Sequence, residues 1–145
     1  MKKIISIILL IISVLFVFSS CSADRIEIDD YEWKMRYIMH LNEDGDQIIY
    51  DAVEEINEFY SNAKVISLKL VAKEGTITVF DETNKKTYEG TYVLSDKNIK
   101  GSEYNVVIDW KTGYAGVAMT TYADNTQEPT LPIKLGTYSM YFYAK

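Results

Sequence analysis

The run Tyr31-Glu32-Trp33-Lys34-Met35-Arg36-Tyr37-Ile38-Met39-His40 alternates between apolar and polar residues with a single interruption, and this period of two narrows the fold more than any other feature. Successive side chains of a strand point to opposite faces, so the run is expected to be a half-buried strand. Tyr31, Trp33, Met35, Tyr37 and Met39 would share the covered face. Glu32, Lys34, Arg36 and His40 would face out, with Ile38 out of step. The same pattern returns along the chain. Ile66, Leu68, Leu70 and Ala72 share one face, as do Tyr88, Gly90, Tyr92 and Leu94, and then Tyr104, Val106, Ile108 and Trp110. Further strands are expected at 47–51, 76–80, 114–123 and 133–144. Turn residues separate them: Asn42 to Asp46 with its Asp-Gly pair, Lys73-Glu74-Gly75, Asp81 to Lys85, the polar loop from Ser95 to Ser102, Lys111-Thr112-Gly113, and Asp124 to Gln127. Pro129 and Pro132 bracket a segment that reads as unfit for a central strand.

One stretch has a different period. Val53, Ile56, Phe59 and Tyr60 recur at helical spacing with Glu54, Glu55 and Glu58 between them. Asp51 can cap the first turn and Glu54, three residues on, completes a capping box. The sequence therefore predicts an all-β chain with one short helix at 51–62. Eight or nine short strands joined by hairpin-type turns favour an antiparallel up-and-down meander closed into a barrel, which removes exposed edges. A β-sandwich is the alternative. A strand centred on Trp33 followed by Tyr- and Thr-rich antiparallel strands resembles the lipocalin-like barrels over roughly residues 31–144. That resemblance implies a small-ligand binder or an inhibitor, and no binding residue is carried over from it.

The first twenty residues read as an address. Lys2 and Lys3 precede a run from Ile4 to Phe18 in which only Ser6 and Ser13 are polar. Such a run suits a signal-peptide core of ~7–15 residues better than a membrane-spanning helix of ~20. Phe18-Ser19-Ser20-Cys21 resembles the lipobox of bacterial lipoprotein signal peptides. The resemblance implies lipidation of Cys21, cleavage just before it, and a chain anchored on the extracytoplasmic face of a cell membrane. The expected organisation is a signal peptide at 1–20, the lipidated cysteine and a polar tether at 21–30, and a single β-barrel domain at 31–145. Cleavage would remove two positive charges and no negative ones, taking the formal charge from −6 to −8. An acidic chain of this kind is not expected to bind nucleic acid, whose phosphates need a basic surface.

Little in the sequence points to a reaction. His40 is the one histidine, and it reads as a solvated strand-end residue. There is no Gly-x-Ser-x-Gly elbow, P-loop or metal-ligand cluster. Asn42-x-Asp44-x-Asp46 opens like an EF-hand loop, but Gln47 and Val53 stand where its glycine and bidentate glutamate belong. The expectation is a non-enzyme without cofactor or metal. A paired-carboxylate, wall-active hydrolase is the least favoured reading, since the acids fall in turns and on the outward helix face. The last strand is apolar on both faces, with Tyr138, Met140 and Phe142 on one and Tyr141 and Tyr143 on the other. Either the helix covers its outer side or a tyrosine patch is exposed, which makes Tyr138, Tyr141 and Tyr143 candidate binding residues. The function expected is a binding module for a small ligand or a surface partner. A structural, assembly or inhibitory protein of an envelope complex is the alternative.

Overall fold

The structure, a computed structural model, describes residues 25–51, 64–95 and 102–145. The described part is all β. Its strands are β1 (Glu32–Leu41), β2 (Gln47–Asp51), β3 (Lys64–Val65), β4 (Leu68–Lys73), β5 (Thr76–Asp81), β6 (Lys86–Leu94), β7 (Glu103–Ile108), β8 (Lys111–Gly116), β9 (Ala118–Thr121), β10 (Gln127–Leu135) and β11 (Tyr138–Ala144). Neighbours run in the order β1, β4, β5, β6, β7, β8, β10, β11, and β11 pairs back onto β1 from Trp33↔Ala144 to His40↔Tyr138. Eight antiparallel strands thus close a barrel of up-and-down connectivity. The return pairing excludes the sandwich, whose two sheets would leave both of these edges free. β2 continues the free side of β1 beyond the point where β4 ends, β3 adds to β2 in parallel, and β9 pairs with β10. The helix expected at 51–62 falls, apart from Asp51 at the end of β2, outside the described residues.

The two barrel ends differ. At one end the chain entering from residue 25 folds under the wall, and Ile28 is fully buried beside Trp33. The Trp33 indole N–H donates to the Ile28 carbonyl at 2.7 Å, and the Tyr92 hydroxyl donates to Asp29 Oδ2 at 3.2 Å. Residues 26–30 therefore close the barrel floor, which corrects the expectation of a free tether as far as Asp30. An apolar side chain at position 28 is worth more in the core than in solvent. Above it Met35, Leu70, Ile77, Val106, Leu131 and Phe142 fill the interior. Trp33 and Tyr104 are buried as expected. Among the described residues no segment closes the opposite end, where β1 finishes and β11 begins.

Several boundaries move. Arg36 is an extra residue against β11, so the alternation of β1 reverses between Met35 and Tyr37. Trp33, Met35 and Ile38 are buried, whereas Tyr37 and Met39 turn outward. Ile38, out of step in the sequence, is in step once the bulge is counted. The turn expected at Lys111–Gly113 lies earlier. Ile108 pairs with Lys111, leaving Asp109 and Trp110 as a two-residue turn with φ of 49° and 64°. Trp110, expected in the core, is 95% exposed. The strand expected across 133–144 is split by Gly136-Thr137 into β10 and β11, Gly136 taking a φ of 60°. The strand expected across 114–123 is likewise divided at Val117 between β8 and β9.

The prolines of β10 also overturn their reading, since β10 lies between β11 on one side and β8 and β9 on the other. Pro129 pairs with Met119 of β9 and has no β11 partner. Pro132 pairs with Tyr141 of β11 and sits where β10 passes from β9 to β8. Each missing N–H therefore lies in a strand that is locally an edge.

Candidate functional site

The open end holds a pocket of about 360 Å³. Its apolar wall comes from inward residues of β1, β4, β5, β7 and β10: Ile38, Leu68, Val79, Ile108 and Leu135. Strand alternation produces this wall directly, because each of these residues shares a face with the core residues below it. Tyr50, Tyr88 and Tyr138 add aromatic rings around it. β4 pairs with β1 only as far as Lys34↔Lys69, and β2 takes over from Tyr37↔Asp51. Among the described residues the wall therefore parts between Ile38 and Leu68, beside the pocket.

One charged residue is buried in this wall. Asp81 continues the inward series Ile77, Val79, Asp81 of β5 and is 3% exposed. Its Oδ1 accepts the Asn84 backbone N–H and its Oδ2 the Asn84 side-chain amide, both at 2.8 Å. At the rim, Lys111 Nζ lies 3.5 Å from Asp109 Oδ2. His40 stacks on Tyr138 with ring centres 4.2 Å apart and planes at 9°, and its Nδ1 is 3.0 Å from the Thr137 hydroxyl. His40 is thus half-buried on the inward side rather than solvated on the polar face, a result of the bulge at Arg36.

The three candidate tyrosines do not form one patch. Tyr138 faces inward at the mouth. Tyr141 faces outward and stacks on Tyr37, with ring centres 5.3 Å apart and planes at 3°. Tyr143 also faces outward, with the Arg36 guanidinium 4.8 Å from its ring centre. Arg36 further donates to the Tyr122 hydroxyl at 2.6 Å and pairs with Glu128 at 3.3 Å. This cluster holds β9 and β10 against β1. A second hollow, of about 620 Å³, runs over the outer face of β1, β11, β10 and β8, past Tyr37, Met39, Tyr114, Pro132 and Tyr141. The Asn42–Asp46 turn closes on itself, Asp46 N–H donating to Asn42 Oδ1 at 2.7 Å. Cys21 lies outside the described residues.

Sequence reading missed Asp81, which it placed in a turn with Glu82 to Lys85. The signal was available: two residues beyond Val79, Asp81 keeps the parity of the buried face. No protein-family model matches the chain, and neither a curated protein nor a solved structure matches it. A functional reading rests on the barrel and the chemistry of its mouth.

Proposed function

We propose that this chain is a non-catalytic lipoprotein, anchored through Cys21 on the extracytoplasmic face of a bacterial membrane, whose barrel binds a small ligand with an apolar body. The observation that carries the reading is the asymmetry of the barrel: one end is closed by Ile28 and Trp33, the other opens into an apolar pocket with a few polar groups. Binding sites for small molecules have this character. An anchor at Cys21 would join the closed end, so the mouth would face away from the bilayer. Two or more acyl chains, each gaining ~0.8 kcal/mol per buried CH₂, suffice for stable anchoring.

The anchor is tested by metabolic labelling with a fatty-acid probe. Wild type is expected to label and Cys21→Ala not to label; equal labelling would refute the anchor. The pocket is tested on the chain from residue 22 onward with N-phenyl-1-naphthylamine, a neutral apolar dye that brightens out of water. Ile66→Trp fills the pocket from its half-buried wall and is expected to abolish dye binding. Tyr114→Ala, in the outer hollow, is expected to leave it unchanged. The reverse result would favour the second reading, a partner of the cell envelope seated on the outer tyrosines, for which the hollow beside Tyr37 and Tyr141 speaks.

A further inference from the structure

The ligand's charge is written in the pocket wall. Asp81 is a buried carboxylate among aliphatic side chains, directly across the ladder from Leu68. Burying an ionised group is costly unless something of opposite charge or strong hydrogen bonding compensates. Asn84 supplies two dipoles and no charge. Among the described residues no cation lies within ion-pair distance of Asp81. The lysines of this end are engaged otherwise or exposed: Lys111 lines the same pocket but sits beside Asp109, Lys64 lies over the Tyr50 ring at 5.8 Å, and Lys85 and Lys86 are exposed, Lys86 although it pairs with Asp81 in the ladder. The stretch 52–63 that follows β2 contains no lysine, arginine or histidine and has three glutamates. The rings of Tyr88 and Tyr138 line the same space, and the faces of aromatic rings attract cations.

We infer that the mouth pocket selects a ligand carrying one positively charged nitrogen on an apolar body, an organic amine or ammonium whose charge sits against Asp81 and the tyrosine rings. This rests on the proposal that the pocket binds small molecules and adds the chemical class. The apolar body lies on Leu68, Val79 and Leu135, and the nitrogen takes the place of the missing counter-charge. A charge-assisted contact inside a desolvated site is stronger than the same contact in water.

Three probes of one size and shape separate charge from shape: 4-phenylbutylamine, 4-phenylbutanol and 4-phenylbutyrate. Each is titrated calorimetrically into the full-length lipidated protein in nanodiscs, with empty nanodiscs as the blank. The amine is expected to bind at least about tenfold more tightly than the alcohol, and the butyrate most weakly. Asp81→Asn keeps an acceptor for the Asn84 N–H and is expected to bring amine and alcohol to similar affinity, chiefly by weakening the amine. Leu68→Lys places an ammonium across from Asp81 and is expected to remove the amine preference as well. It decides the matter should Asp81→Asn lose every probe. Equal binding of amine and alcohol to wild type would overturn the inference and leave the pocket standing. A preference that survives both substitutions would overturn the assignment to Asp81. Failure of all three probes on wild type would overturn the pocket reading itself.

Discussion

Trp110 occupies a position that its residue type does not favour. Asp109 and Trp110 both have positive φ, the backbone of a turn that Asn-Gly forms most readily. A bulky side chain in the left-handed region is strained against its own backbone. With 95% of the residue exposed, no packing offsets that strain. Trp110→Gly is therefore expected to raise stability by about 1 kcal/mol, read as a higher denaturant midpoint at unchanged slope. Asp81 is the converse case: a charged group kept in an apolar wall, where an isoleucine would cost nothing to bury.

At the scale of elements, β6 and β7 approach each other at Gly90. A Cβ built there would lie 2.0 Å from the Val107 carbonyl oxygen and 2.9 Å from the Ile108 Cα. Both are backbone atoms of the partner strand, so the ladder would have to move. Gly90→Ala is expected to destabilise the barrel by at least about 2 kcal/mol in a denaturant melt. Gly75→Ala meets nothing closer than 3.7 Å, and its penalty comes instead from a φ of 82°. The β1 bulge works at the same scale. It lets Arg36 and Tyr37 both face outward, one into the Tyr122–Glu128 cluster and the other onto Tyr141, while Ile38 returns to the core.

At the scale of the whole molecule, the floor is tied to the wall by contacts that titrate. Burial pushes the Tyr92 hydroxyl above its ordinary value of 10.0, and the Asp29 carboxylate that it faces adds to the rise. Burial does the same for Tyr122, outweighing the opposite pull of Arg36. A proton bound more tightly in the folded state stabilises it at low pH, so the contribution is intact below pH 10 and is lost as pH rises through the raised value. Stability is expected to fall above pH 10, and Tyr92→Phe to make that fall shallower, measured by urea melts between pH 8 and 11. An unchanged alkaline slope would place the Tyr92–Asp29 contact outside the folding equilibrium. At the acid side, Glu32 is held below its ordinary 4.5 chiefly by its hydrogen bond with Lys69. Its contribution is present above pH 4.5 and disappears as pH falls through the lowered value.

Alternation of apolar and polar residues is a local property, and the sequence alone determined what depends on it. This covers the all-β class, the strands at 47–51 and 86–94, the inward set Leu68, Leu70 and Ala72, and the opposed faces of Tyr138 and Tyr141. The closure of the meander followed from successive hairpins and their need to hide two edges. Tertiary structure decided whatever depends on a neighbour. The bulge at Arg36 exists only against β11, so the face of Ile38 and His40 cannot be read from β1 by itself. Pro129 and Pro132 are tolerated because the strands beside β10 change there. Ile28, in a largely polar stretch, closes the floor because nearby Trp33 and Tyr104, 76 residues away, both meet it. Asp81 lies on the correct face in the sequence, but only the parting of β2 from β4 turns that face into the wall of a pocket.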